Sequence, residues 1–336
     1  MPFVTDTFSL APKRPLFASI LANTVLSTVP GISGAGPSPE KTLLTPVLDA
    51  ELVLRGKITS MPARPDTPTG CPTPASITRA MVELCGIIPL FVNAGLVHRP
   101  TVPCLDVYGE PGRDPRAGDA VPLARELFDK GCAIGNFLSQ AFDLLVLGEC
   151  VPGGTTTALC VLRALGYPAR VSSSYVENPV GMKEAVWAEV SRRIGRPLPL
   201  PPLEAARCCG DPMIPLTAGI GKGFRGTLVL AGGTQMLAVA ALMHALSLPR
   251  PVIATTVYVR DDASANFSEI AARIGVPVAY VDPAFGDLGH AGLARYCIGE
   301  VKEGMGAGGA MFLAAIMGHS PMEIRDKILG TLSSYA

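Results

Sequence analysis

Residues 144–158 read LLVLGECVPGGTTTA. A run of four apolar residues enters a turn with a glutamate and two adjacent glycines. Three threonines then open a segment with helical character. Glycine lets a backbone approach a ligand closely, and a helix start offers unpaired N–H groups and a dipole that favours anions. The threonine hydroxyls add donors. Gly153, Gly154, Thr155, Thr156 and Thr157 therefore form a candidate phosphate turn. It is not a P-loop, because Gly154 stands where that motif needs lysine. The plain alternative is a tight strand-to-helix turn with a threonine cap.

The same alternation extends along the chain. Apolar runs rich in Val, Ile and Leu lie at 16–21, 52–54, 87–92, 144–147, 228–231, 252–259 and 276–281. Most do not alternate apolar with polar residues, which suits strands covered on both faces. Helix-like stretches fall between them, at 76–84, 120–138, 156–165, 183–194, 234–246 and 264–274. Strands alternating with helices predict an α/β fold with a mainly parallel sheet. The proline-rich segments 56–75 and 195–216 read as long loops, either binding lids or rigid surface excursions.

Two further glycine turns open helices. One is LAGGTQ at 230–235, with Gly232, Gly233 and Thr234. The other is EVKEGMGAGGA at 300–310, with Gly304, Gly306 and Gly308 and an acid, Glu303, at its mouth. Three such entries favour a nucleotide-type ligand at the carboxyl ends of the strands. None has the spacing of a dinucleotide fingerprint, so NAD is not expected.

Composition limits the function classes. The 336 residues carry 28 basic and 28 acidic side chains, a formal net charge of zero, and 48% are hydrophobic. Such a chain has ample core material and no basic excess for binding nucleic acid. Its nine cysteines lack metal-ligand spacing, and reduced thiols in a cytoplasm are the expectation. No metal and no cofactor are expected. The first residues show no signal-peptide pattern. Residues 226–249 carry no formal charge and are long enough to span a bilayer. Gly232–Gln235 interrupts them, so a strand, a turn and a core helix are expected, and no membrane.

Glu149 and Glu303 sit in glycine turns, where shielding from water shifts a carboxyl pKa. Either can take a proton from a weakly acidic nitrogen, or simply accept hydrogen bonds from loop amides. His244, in an apolar helix, reads as core. His290 and Met305 are possible site-lining residues. Asp261–Asp262 reads as a ribose-binding pair or a solvated turn.

The run GECVPGGTTTALCVLRALG resembles the strand–Gly–Thr–helix motif of the nicotinate-nucleotide:dimethylbenzimidazole phosphoribosyltransferases, in particular their archaeal and cyanobacterial branch. Further matching stretches are LANTVLSTVPGISGAGPSPEKTLLTPVLDAELVLRGK, PTPASITRAMVEL, GDPMIPLTAGI, VLAGGTQMLAVAAL and VKEGMGAGGAMFLA. They reach from about residue 16 to 314. The resemblance implies a Rossmann-like three-layer fold, with a smaller helical lobe built from the chain ends, in a homodimer. The expected division is a nucleotide-binding domain over 14–285, an N-terminal arm over 1–13 and a C-terminal helical lobe over 286–336.

The implied reaction takes nicotinate mononucleotide, expels nicotinate and joins a lower-ligand base to C1 of the ribose. The base is dimethylbenzimidazole or a purine, and the product is an α-riboside 5′-phosphate for cobamide assembly. The alternatives are another nucleotide-handling transferase on this scaffold, or a non-catalytic binding protein for such precursors. By resemblance, Gly154, Thr155 and Thr156 match the family's phosphate turn, preceded by Glu149. The family's G-E-G-T-G-A general base falls at Met305, which cannot accept a proton. Glu303, two residues earlier, is expected to replace it by projecting to the same side of extended backbone; the alternatives are that Glu149 serves alone or that this branch performs a different transfer.

Overall fold

The computed structural model describes residues 2–5, 10–36 and 38–335. Its seven strands are β1 (Pro15–Ala22), β2 (Leu90–Gly95), β3 (Leu105–Asp106), β4 (Leu144–Cys150), β5 (Thr227–Ala231), β6 (Val252–Thr256) and β7 (Val278–Val281). All pair in parallel, in the order β3-β2-β1-β4-β5-β6-β7. The order reverses between β1 and β4. Such a switch point leaves a crevice beyond the carboxyl ends of the strands, where ligands of open α/β sheets bind.

Fourteen helices accompany the sheet among the described residues. The first five are α1 (Pro39–Thr42), α2 (Thr45–Arg55), α3 (Pro74–Leu84), α4 (Ala124–Leu138) and α5 (Gly154–Ala164). Next come α6 (Val180–Ile194), α7 (Pro202–Cys209), α8 (Met213–Gly223), α9 (Thr234–Ala245) and α10 (Val257–Arg260). The last are α11 (Phe267–Ile274), α12 (Ala291–Ala294), α13 (Ala307–Ile316) and α14 (Pro321–Ser333).

Successive strand residues face opposite sides of the sheet. In β4, Leu145 and Leu147 enter one core, shared with residues of α4, α5, α8, α9 and α11. Leu144, Val146 and Cys150 enter a second, shared with residues of α2, α3, α13 and α14. Every residue of β4 is buried, as expected for a central strand covered on both faces. The result is the α/β fold with a parallel sheet expected from the alternation, in the three-layer form that the resemblance implied. Helices α13 and α14, after residue 286, pack with α3 on the second face.

Two strand expectations are corrected. Residues 52–54 are helical, in the last turn of α2. Pro46 opens that helix and Gly56 ends it in the left-handed conformation, so LVL there is a buried helical stripe. The 252–259 run is strand only to Thr256 and then turns into α10. The uncharged stretch 226–249 divides into β5 and α9. No helix of the described residues is long and apolar enough to cross a membrane.

Candidate functional site

A cavity of about 690 Å³ opens beyond the carboxyl ends of the strands. That is within the usual size of small-molecule sites. Its floor comes from the β4–α5 turn, with Glu149, Cys150, Gly153, Gly154 and Thr155. The β5–α9 turn adds Gly233, Thr234 and Gln235, and the third glycine turn adds Glu303, Gly304 and Met305. Segments 32–36 and 172–174 form further walls. Of the two proline-rich segments, 56–75 covers the cavity through residues 61–68; 195–216 is not a long loop but holds α7 and the first turn of α8, and none of its residues lines the cavity.

The first turn works through backbone geometry. Gly153 has φ +78° and a Cβ there would sit 3.0 Å from Ser27 Cα, so glycine is required. Helix α5 starts directly after it with no side-chain cap. Its N-terminal end and that of α9 face the same cavity, and each favours negative charge.

The three threonines separate. Thr155 lines the cavity. Thr156 and Thr157 are fully buried. Thr157 Oγ1 is 2.6 Å from Asp211 Oδ2 and 3.0 Å from the Gly154 carbonyl. Thr156 Oγ1 has no hydrogen-bond partner. Gly232, Gly306 and Gly308 lie behind the lining.

The third turn crosses the end of β4 at close range. A Cβ on Gly148 would meet Gly306 Cα at 3.0 Å, and a Cβ on Gly306 would meet Gly148 Cα at the same distance. The backbone here is not extended. Val301, Lys302 and Met305 have φ of +64°, +57° and +48°, and Gly304 has φ +158°. Left-handed backbone at non-glycine residues costs energy and collects at functional sites. Glu303 reaches the cavity through this left-handed turn and not through strand alternation. Met305 faces the sheet, with Ser19 Oγ 3.5 Å from its sulfur, and its carbonyl accepts from Thr78 Oγ1 at 3.0 Å.

Four carboxyls gather around the cavity floor, Glu149 and Asp211 buried, Asp49 and Glu303 half-buried at its lining. Burial pushes Glu149 up to about 8, with further push from the charges of Asp211 and Glu303. Burial raises Glu303 to about 7 against the opposing hydrogen bonds from Gly308, Gly304 and Thr255. The Gly308 N–H donates to Glu303 Oε1 at 3.0 Å and the Val151 N–H to Glu149 Oε2 at 3.1 Å. Burial also raises Asp211 to about 6 and Asp49 to about 7. A carboxyl held near neutrality exchanges a proton at little cost.

Asp49 escaped the sequence reading. It lies on α2, lines the cavity, and accepts from Thr73 Oγ1 at 3.3 Å. Its wall is apolar, with Leu44, Leu48, Ile58, Met61 and Pro74. Lys41 and Arg64 also line the cavity and are exposed. No local signal marked these residues, since each joins the site only through tertiary packing.

Other candidates fall elsewhere. His290 does not line the cavity; its Nδ1 accepts the Leu293 N–H and caps α12. His244 is exposed on α9, because that helix turns its last residues to solvent. Asp261 is exposed and pairs with Arg260. Asp262 accepts from Ser172 and Ser264 and pairs with Lys302.

No family model matches the chain. A UPF0284 protein of Methanosarcina mazei is 42% identical over 338 residues, covering 98% of this chain and 97% of that protein. A UPF0284 protein of Thermococcus gammatolerans is 46% identical over 319 residues, covering 93% and 96%. Among solved structures, the nicotinate-nucleotide-dimethylbenzimidazole phosphoribosyltransferase of Thermus thermophilus aligns with TM-score 0.62 and 17% identity, over 96% of this chain and 84% of that one. A structure described as CobT from the same organism aligns with TM-score 0.60 and 16% identity, over 95% and 84%. The fold implied by the sequence resemblance is therefore the fold found. At 42–46% identity over nearly its full length, the chain belongs to the UPF0284 family.

Proposed function

We propose that the protein is a phosphoribosyltransferase. It transfers the 5-phosphoribosyl group of nicotinate mononucleotide to a lower-ligand base, giving an α-riboside 5′-phosphate for cobamide assembly. The observation that carries this reading is one cavity holding both Glu149 and Glu303, each raised toward neutrality, beside the open N-terminal ends of α5 and α9. The 5′-phosphate sits at the α5 end, on Gly154 and Thr155, with Lys41 at the mouth. The acceptor base lies against the apolar wall around Leu48 and Pro74, with Asp49 beside it.

The unprotonated nitrogen of the base attacks C1 of the ribose from the side opposite nicotinate. The bond from C1 to the pyridinium nitrogen breaks, and its electron pair stays on that nitrogen and cancels the charge. The proton on the base's other ring nitrogen passes to the Glu303 carboxylate. Glu149, its neighbour in charge, keeps the pair from ionising together. The glycosidic bond is already activated, so positioning and this proton transfer are what the protein supplies. The resemblance extends the proposal to a cytoplasmic homodimer.

The test is incubation with nicotinate mononucleotide and each of dimethylbenzimidazole, adenine and a phenol. Nicotinate release that requires an added acceptor, with a product of matching mass and α configuration, supports the reading. Tight nucleotide binding without turnover for any acceptor replaces it with a binding role.

A further inference from the structure

We infer that Lys302 is a positioning residue for Glu303, acting through its buried contacts with the 173–175 wall and Asp262. The inference rests on the reading of Glu303 as the base. Its ground is the geometry of the turn, in which two consecutive non-glycine residues, Val301 and Lys302, are left-handed. Such backbone persists only where its surroundings hold it.

The hold on this turn is specific. The Lys302 ammonium donates to the Ser173 carbonyl at 2.8 Å and to the Tyr175 carbonyl at 3.2 Å. It lies 3.4 Å from Asp262 Oδ2, with side-chain exposures of 7% and 8%. Its three donors thus meet three acceptors. Asp262 is fixed in turn, accepting from Ser172 Oγ at 2.6 Å and from the Ser264 N–H at 3.0 Å. Two further bonds complete the clamp: Val301 N–H to the Ser174 carbonyl at 2.9 Å, and Thr256 Oγ1 to the Lys302 carbonyl at 2.8 Å.

Lys183 binds the same wall from beside it, donating to the Ser172 carbonyl at 2.6 Å and to Asn178 Oδ1 at 2.9 Å. The two ammonium groups therefore draw the carbonyls of 172, 173 and 175 onto themselves. Lys302 fixes the backbone one residue before Glu303, which sets where that carboxyl meets Gly308 and the cavity. A neutral side chain at 302 leaves the left-handed turn without its anchor and Asp262 without its cation. Removing one partner of a buried pair is costly because the other charge stays buried.

The experiment compares wild type with Lys302→Met and Asp262→Asn, each alone and combined with Glu303→Gln. One readout is hydrogen exchange at the Gly308 amide, which reports its bond to Glu303 without reference to any reaction. In Lys302→Met that exchange should rise roughly tenfold or more while amides of β4 keep their rates. Turnover of nicotinate mononucleotide should fall roughly 10–100-fold, with nucleotide affinity within about threefold of wild type. In a Glu303→Gln background Lys302→Met should cost no further turnover, because residues acting through one group are not additive.

Unchanged Gly308 exchange, or losses that multiply in the double variant, overturns the inference. If Lys302→Met does not fold, Asp262→Asn decides: raised Gly308 exchange supports the inference and unchanged exchange overturns it. If Gly308 exchange rises but Glu303→Gln alone keeps wild-type turnover, the positioning stands and the assignment of Glu303 as base falls.

Discussion

The Glu303 carboxylate accepts the Gly308 N–H at 3.0 Å, so the acid at the mouth of the third glycine turn also caps the helix that the turn opens. Gly308 is the second residue of α13. A carboxylate there satisfies an orphan amide and meets the positive end of the helix dipole. Burial works against that charge, and the balance leaves the group near neutrality. The two readings that the sequence left open, loop cap and proton acceptor, both belong to the one Glu303 carboxylate.

The threonines should divide by position. Thr155→Val should weaken nicotinate mononucleotide binding by about 1–3 kcal/mol, the worth of a hydrogen bond to a charged acceptor. Calorimetric titration measures it. Thr156→Val should leave binding unchanged and leave the melting temperature equal or higher, since the Thr156 hydroxyl is buried without a partner and a methyl fills the same space. Weakened binding in Thr156→Val would place its hydroxyl on the ligand.

Stability should fall as pH rises through neutrality. Asp49, Glu149, Asp211 and Glu303 all have carboxyls raised by burial, to about 7, 8, 6 and 7. Between the ordinary carboxyl value of about 4 and these values, the folded protein holds protons that the unfolded chain has lost. The slope of stability against pH is then negative. Urea unfolding at about pH 5.5 should give a larger unfolding free energy than at about pH 8.5, and Glu149→Gln should flatten the difference. A flat or rising profile across that window would contradict the burial of these acids.

Gly148→Ala tests the crossing of the third turn over β4. The new methyl would meet Gly306 Cα at 3.0 Å, and backbone cannot step aside as a side-chain tip can. Overpacking of this kind costs about 1–3 kcal/mol. Thermal unfolding should show that loss together with a larger loss of turnover, because the displaced segment carries Glu303 and Met305.

The proline-rich loop has a latch. Thr67 Oγ1 donates to Glu300 Oε1 at 2.7 Å, Thr69 donates to the same oxygen, and Arg295 holds the other at 2.5 Å. Replacing Thr67 and Thr69 by valine should raise KM for the nucleotide and expose residues 61–70 to proteolysis. The melting temperature should fall modestly, since Glu300 is buried and Thr67 Oγ1 also accepts the Cys71 N–H. Unaltered KM and protease resistance would make the loop a fixed wall.

Much of this was readable from the chain because it depends on local pattern. The continuous apolar runs of β1, β4 and β5 report coverage on both faces, and the glycine turns at 153–154, 232–233 and 304–306 report close backbone approach. Residues 52–54 misled because a three-residue apolar run has no period of its own, and Pro46 and Gly56 make it helical. Glu303 was found, but by an argument from extended backbone that the left-handed turn replaces. Asp49 and Lys302 were invisible as site residues. One is the first of two acids on α2, with Glu51 two residues on, and the other a lone lysine beside glycines, and only the return of distant segments gives them partners.

The central claim is that the Glu303 carboxylate takes the proton of the attacking base as nicotinate leaves. Its most direct test is the rate of free nicotinate release from nicotinate mononucleotide plus dimethylbenzimidazole, in wild type, Glu303→Gln and Glu149→Gln. Glutamine keeps an oxygen for the Gly308 and Val151 amides, so the turns should survive. Wild type should release nicotinate only with an acceptor present. Glu303→Gln should reduce that rate roughly 10²–10⁴-fold, with nucleotide affinity near wild type. Release at the wild-type rate in Glu303→Gln, or none from wild type with any acceptor, would contradict the claim.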